Sequence, residues 1–173
     1  RVRSCADSVA WRTMAWIFDP YDMTHKGQTN LPVVTGKPLE LGGSLGRSTA
    51  TARGALVCVE EAIGRGLVPG VTRVAEARVA VQGFGNAGAH FADLSAAQGA
   101  RIVAASDSQG GVSNPGGLDV GALLRHKAST GSVAGFPGSR AMSNGTCRFS
   151  HCSATVASFW VMCSREARRR RRD

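Results

Sequence analysis

Apolar positions in this chain recur with two periods, which predict alternating helices and strands. Between residues 52 and 63 they fall three or four apart, as in a helix with one buried face. Ser48 or Thr49 can cap that helix, and Gly66 lies beyond its end. Cys58 falls inside this segment, and we predict it to be a small buried hydrophobic residue.

Helices are also predicted on either side of this segment. Residues 14–21 form a short apolar run that we expect to end at Pro20. Asp119 can cap a helix that continues to about Ser129. Between residues 36 and 46 four glycines leave little room for regular structure and favour a backbone that lies close to a ligand or another segment. After Asn144 the periodicity stops, and we predict no further regular element.

The most informative segment is a glycine-rich turn between a strand and a helix. An apolar run around Ala80 predicts a strand, residues 89–98 predict a helix, and residues 101–106 predict a second strand ending at Asp107. The turn between the first strand and the helix reads Gly83, Phe84, Gly85, Asn86, Ala87, Gly88. Strand, G-x-G-x-x-G, helix, strand and acid together are typical of dinucleotide binding.

Each glycine of the motif has a physical role in binding a dinucleotide. Gly83 permits the tight turn, Gly85 lets the backbone approach a pyrophosphate, and Gly88 lets the helix pack close to the strand. The pyrophosphate would lie on the free N–H groups at the helix start. Asp107 comes 24 positions after Gly83, close to the usual spacing for a carboxylate that contacts the adenosine ribose. We therefore predict an α/β fold with a partial Rossmann-like domain and irregular ends.

Charge and cysteine are concentrated at the ends of the chain. The net charge is +9, but residues 14–140 hold 11 basic and 9 acidic side chains and are nearly balanced. Most of the excess comes from the run Arg168–Arg172, which we expect to be a solvated tail or the product of a shifted reading frame. A nucleic-acid role for this tail is disfavoured because no aromatic residues alternate with the arginines.

Other classes of site and location are also disfavoured. The spacing of Cys147 and Cys152 around His151 matches no zinc pattern well, so we predict no metal site. The longest apolar stretch, residues 154–163, is too short to span a bilayer, and no secretory segment opens the chain. We expect a cytoplasmic protein without membrane or nucleic-acid partners.

Seven segments, in this order, resemble the glutamate dehydrogenases. They are residues 14–19, 34–38, 42–47, 50–54, 83–88, 106–108 and 131–133, and the resemblance covers about residues 14–144. Leucine, phenylalanine and valine dehydrogenases share the fold, but the segment Gly42–Arg47 is more similar to the glutamate enzymes. The resemblance implies four parts: a divergent remnant (1–13), the end of a substrate domain with a hinge helix and glycine loops (14–47), a partial NAD(P)-binding domain (48–144) and a divergent basic tail (145–173).

The resemblance also implies an activity, oxidative deamination of L-glutamate to 2-oxoglutarate and ammonia with NAD or NADP, in a homo-oligomer that is a hexamer in the family. It places Thr51 against the nicotinamide amide, Asn86, Asp107 and Ser108 against the cofactor, and Ser44 and Arg47 in the cleft near the substrate. None of the lysines, Lys26, Lys37 and Lys127, matches a catalytic position of the family. We therefore expect a truncated and inactive chain, with a non-catalytic NAD(P)-binding or interaction module as the alternative. The choice between NAD and NADP stays open.

Overall fold

The structure is a computed structural model that describes the backbone of residues 5–143 and 156–160, with side chains for residues 11–143. The chain divides into two compact units, residues 1–48 and residues 49–173. No helix within the described ranges is both long and apolar enough to cross a membrane.

The first unit consists of one long helix followed by a glycine-rich loop. Helix α1 (Cys5–Thr24) runs through Pro20, so the prediction that it ends there is wrong. A proline removes a single N–H from the helix, and four more residues follow it, the last of which is Thr24. The Thr24 hydroxyl donates to the Pro20 and Tyr21 carbonyls at 3.0 Å. Beyond α1 the loop contains two 3₁₀ turns, Leu31–Val33 and Leu39–Leu41.

The second unit is built on a mixed sheet. Its described strands are β1 (Arg78–Gln82), β2 (Arg101–Ser106), β3 (Gly111–Ser113), β4 (Arg140–Met142) and β5 (Val156–Trp160). They lie side by side in the order β4-β3-β2-β1-β5. Strands β1 (Arg78–Gln82) and β2 (Arg101–Ser106) pair in parallel, as predicted, with Gln82 opposite Ser106. Two short antiparallel strands, β3 (Gly111–Ser113) and β4 (Arg140–Met142), extend the sheet beyond β2. Because each has only three residues, neither carries a periodic pattern that a sequence could reveal.

Helix α2 (Ala50–Gly64) buries the apolar stripe that the sequence predicts and packs against α3 (Asn86–Ala97). The buried residues of α2 are Ala52, Leu56, Val59 and Ile63. Cys58 is exposed, so its predicted burial is wrong. It precedes Val59 by one position, which is about 100° around the helix axis and away from the buried face.

The predicted helix after Asp119 is confirmed as α4 (Val120–Thr130). The Asp119 carboxylate accepts a hydrogen bond of 2.9 Å from the Ala122 N–H, and Gly131 ends the helix in the left-handed conformation at φ 81°. Thr49 occupies the cap position of α2, but its side chain makes no capping hydrogen bond to the helix.

Strand β5 (Val156–Trp160) pairs in parallel with β1. The prediction of no regular element after Asn144 is therefore wrong for these residues. Valine, phenylalanine and tryptophan favour strands, but this five-residue run is apolar except for Ser158 and has no regular alternation that would mark it as one. The arginine run and the cysteines at 147, 152 and 163 lie outside the described residues.

Candidate dinucleotide-binding site

The glycine turn joins the carboxyl end of β1 to the start of α3. Gly83 has φ +89°, a left-handed conformation that only glycine adopts without strain. The N–H groups of Gly83 and Phe84 both donate to the Ser106 carbonyl, at 2.8 and 2.7 Å. The end of β2 therefore holds the first half of the turn in place.

The second half of the turn exposes the start of α3. Gly85 is the residue before the helix, and its carbonyl accepts the first helical hydrogen bond, 2.8 Å from the Ala89 N–H. The N–H groups of the first helical turn have no partner within a helix, and glycine has no side chain to cap them. A Cβ placed on Gly85 meets no atom within 4 Å, so the backbone here faces open space. This geometry suits an approaching anion.

Gly88 brings the helix and the strand into close contact. A Cβ on Gly88 would overlap the Gly83 carbonyl oxygen and lie 3.1 Å from Cγ1 of Val81. The close packing predicted for the third glycine is therefore confirmed. The Phe84 ring is fully buried in the core, so that only the backbone of this residue belongs to the turn surface.

Asp107 lies at the carboxyl end of β2, as predicted, but its carboxylate faces the interior. One oxygen, Oδ2, accepts from the Val133 N–H at 2.8 Å and lies 3.4 Å from Nζ of Lys127. The other, Oδ1, accepts from the N–H groups of Gln109 and Gly110, at 2.9 and 3.3 Å, and from the Ser132 hydroxyl at 3.1 Å. A carboxylate offers about four acceptor positions, so a ribose hydroxyl would compete with these five donors. The ribose contact of Asp107 stays a prediction.

These contacts set the charge state of Asp107. Burial by itself raises the pKa of this carboxyl, but hydrogen bonds from the Val133 and Gln109 N–H groups, the Lys127 charge and the Ser132 hydroxyl outweigh it. The pKa is therefore lowered from its usual value of 3.8. Stability that depends on the ionised group is present above about pH 4 and is lost as the pH falls through the lowered pKa.

Replacing Asp107 with asparagine should destabilise the second unit by about 1–3 kcal/mol at pH 7, because an amide cannot accept from every donor that faces it. The difference in stability between wild type and variant should narrow as the pH falls below about 4, because the unfolded wild type is then protonated and the advantage of the ionised carboxylate declines until the pH has passed the lowered pKa of Asp107 in the folded protein. Urea unfolding at pH 7 and pH 3 measures both effects. The exposed Asp93 on α3 supplies the matched control, Asp93→Asn, which should be near neutral. Equal stability of Asp107→Asn and wild type at pH 7 would show that the ionised Asp107 carboxylate does not stabilise the second unit.

Three further predicted cofactor residues are exposed in the second unit. Thr51 lies in the first turn of α2, Asn86 is the first residue of α3, and Ser108 follows Asp107. Their exposure leaves them accessible to a ligand. Ser44 and Arg47 belong to the first unit, where they line a cleft of about 410 Å³.

The same cleft of the first unit is lined by Lys37, whose ammonium is held by the protein itself. It donates to the carbonyls of Leu31 and Val34, at 2.6 and 3.0 Å, and lies 5.2 Å from the centroid of the Phe18 ring. No group of three or more potential metal ligands occurs among the described residues.

Sequence reasoning missed Lys127, Ser132 and Val133 as members of the site. Lys127 donates to the Phe84 carbonyl, 43 positions earlier in the chain, and to Asp107. The segment 131–133 carries part of the family resemblance, and this was the one available signal. Its physical role, holding the Asp107 carboxylate, becomes visible only when β2 and the end of α4 are brought together.

A parallel β-α-β unit with a glycine turn at the carboxyl end of its first strand defines a Rossmann-like α/β domain. The family model of Glutamate/Leucine/Phenylalanine/Valine dehydrogenase matches residues 42–167. This chain belongs to that family. The match extends past Asn144, where the resemblance in the sequence alone ends.

Similar proteins in this family include several glutamate dehydrogenases. The chain is 48% identical to the enzyme of Thermotoga maritima over 135 residues, which are 76% of this chain and 30% of that protein. Among solved structures it resembles the hetero-hexameric glutamate dehydrogenase of Thermus thermophilus in a leucine-bound form, with 45% identity, a TM-score of 0.60, and coverage of 70% and 28% of the two chains. The glutamate dehydrogenase of Peptoniphilus asaccharolyticus is 31% identical, with a TM-score of 0.60 and coverage of 71% of this chain and 31% of that chain. The chain thus spans about 30% of the length of these relatives.

Proposed function

We propose that this chain is part of an NAD(P)-dependent glutamate dehydrogenase and contributes the pyrophosphate-binding portion of its cofactor site. The observation that carries the proposal is the open backbone at Gly85, directly before a helix of 12 residues, in a chain of this dehydrogenase family. The N–H groups and the positive dipole end of that helix would stabilise a bound pyrophosphate.

Bound NAD(P) would accept the hydride from Cα of glutamate in this reaction. The residues of this chain would bind and orient the cofactor: the glycine turn would bind the pyrophosphate, Thr51 would contact the nicotinamide amide, and Asn86 would contact the cofactor from the glycine turn. Ser44 and Arg47 are proposed to line the cleft that receives the substrate. Each of these assignments is carried over from the family, and the exposure of Thr51 and Asn86 is compatible with it.

Cofactor choice depends on the same region. A free carboxylate at the end of β2 would repel a 2′-phosphate, but the charge of Asp107 is opposed by Lys127 and shared among hydrogen bonds. We therefore propose that both NAD and NADP are candidates, with the exposed Ser108 available to a ribose oxygen. In the whole protein we expect a homo-oligomer.

Replacing Gly85 with leucine tests the proposal. A Cβ at this position meets no protein atom within 4 Å, and the backbone has φ −84°, so the chain should still fold. The new side chain would occupy the space where the pyrophosphate would lie. We expect calorimetric titration with NAD and NADP to show affinity reduced by about 30-fold or more, equivalent to about 2 kcal/mol.

Cys58→Ala is the control for the titration, because Cys58 is exposed on α2 and lies outside the glycine turn. It should bind as the wild type does. If Gly85→Leu and wild type bind NAD with equal affinity, then the glycine turn is a structural feature only and the proposed function fails.

A further inference from the structure

Lys127 connects the last turn of α4 to the glycine turn. Its ammonium donates to the Phe84 carbonyl oxygen, lies 3.4 Å from Oδ2 of Asp107 and sits 5.8 Å from the centroid of the Phe84 ring. A lysine in the last turn of a helix can simply offset the helix dipole. Here the side chain instead reaches a carbonyl 43 positions away in the chain, which indicates a role at the turn itself.

The Phe84 carbonyl belongs to the same peptide plane as the Gly85 N–H. In a planar trans peptide the C=O and the N–H point in opposite directions. A donor that fixes the Phe84 carbonyl therefore also fixes the direction of the Gly85 N–H. Gly85 has no side chain to restrict its backbone, so a constraint on the preceding peptide limits its motion.

The end of β2 holds the first two N–H groups of the turn by hydrogen bonds. The Gly83 and Phe84 N–H groups donate to the Ser106 carbonyl, and Lys127 holds the Phe84 carbonyl. Lys127 is itself aligned by Asp107, which is in turn fixed by the Val133 N–H. The Val133 N–H, the Asp107 carboxylate, the Lys127 ammonium and the Phe84 carbonyl thus form one continuous chain of contacts that ends at the Gly85 peptide.

We propose that Lys127 is a positioning residue for the cofactor, acting through the Phe84 carbonyl to direct the Gly85 N–H toward the pyrophosphate. This inference rests on the proposed function. It assigns Lys127 no contact with the cofactor and explains why the segment 131–133, which contacts neither the glycine turn nor the start of α3 in the hydrogen bonds described here, supports the site.

The test compares Lys127→Met, which keeps the length and loses the donors, with Lys127→Arg, which keeps charge and donors. Titrations use the full chain with NAD, NADP and adenosine, with the thermal midpoint measured for each variant. We expect Lys127→Met to weaken NAD and NADP by the same factor, about tenfold, and to leave adenosine unchanged, because adenosine has no pyrophosphate. Lys127→Arg should recover most of the affinity. Lys26→Met, at an exposed lysine of the other unit, controls for the lost charge.

The possible outcomes separate this inference from the proposed function. If the wild-type chain binds neither NAD nor NADP, the proposed function fails and the inference fails with it. If the wild type binds and Lys127→Met binds equally well, the positioning role alone is overturned. A loss confined to NADP would mean that the ammonium contacts a 2′-phosphate directly, and an equal loss for adenosine with a lowered thermal midpoint would mean a general structural role. Both results would overturn the inference.

Discussion

Gly88→Leu is expected to lower strongly the temperature at which the second unit of the chain unfolds. The new Cβ would overlap the Gly83 carbonyl oxygen. This oxygen is a backbone atom, and it cannot move without disturbing the hydrogen bonds from the Gly83 and Phe84 N–H groups to Ser106. Overpacking of this kind costs about 3 kcal/mol or more, a large part of the roughly 5–15 kcal/mol that stabilises a domain. Leucine has a higher helix propensity than glycine, so the expected loss comes from the contact between helix and strand.

The matched control is Gly85→Leu, the same substitution three positions earlier, where a Cβ meets nothing within 4 Å. Its loss of stability should stay near 1 kcal/mol, the usual cost of removing a favourable cap residue. Thermal unfolding followed by circular dichroism distinguishes the two variants. If the two variants unfold at the same temperature, the close approach of α3 to β1 does not contribute to the stability of the domain.

No glutamate-dependent production of NAD(P)H is expected from the 173-residue chain alone. Two of its three lysines have their ammonium groups held by protein acceptors: Lys37 by two carbonyls, and Lys127 by Asp107 and Phe84. Lys26 is exposed. Absence of an acid or base group lowers a rate by about 10²–10⁴-fold, and poor positioning of the substrate lowers it further.

Activity should return when family-like flanks are joined to the chain. A chimera would place the corresponding parts of the Thermotoga maritima relative before Met14 and after Asn144, and absorbance at 340 nm would follow NAD(P)H in the presence of L-glutamate. If the unmodified chain binds cofactor without turnover, it could be either an inactive part of a glutamate dehydrogenase or a non-catalytic NAD(P)-binding module. Clear turnover by the unmodified chain would contradict this prediction, because the catalytic groups would then have to lie within these 173 residues.

The sequence predicted those parts of the fold that depend on local patterns. The β1-α3-β2 unit, the buried stripe of α2 and the Asp119 cap each follow from periodicity or from a single residue at a helix start. The exposure of Cys58 was missed because the helical period was applied to a whole segment and not to each position. Strand β5 was missed because its partner, β1, lies about 80 positions earlier.

The candidate site shows the same division between local and long-range information. The glycine turn consists of six consecutive residues, so its shape could be predicted from the local sequence. Three of the five partners of Asp107 (Lys127, Ser132 and Val133) come from α4 and the segment after it, and no spacing rule relates these three to the end of β2. A motif can therefore locate a carboxylate at a strand end without showing whether that carboxylate faces a ligand or the protein.

The Ser106 carbonyl, which accepts from both Gly83 and Phe84, also determines the order in which the turn can form during synthesis. The first half of the turn has no acceptor of its own and is completed only when β2 has been made and has paired with β1. Lys127 and Val133 must follow before the Phe84 carbonyl and Asp107 are held. Because a chain is made from its N-terminus, about 45 residues beyond the motif, from Gly88 to Val133, must leave the ribosome before the motif can adopt the shape that its glycines permit.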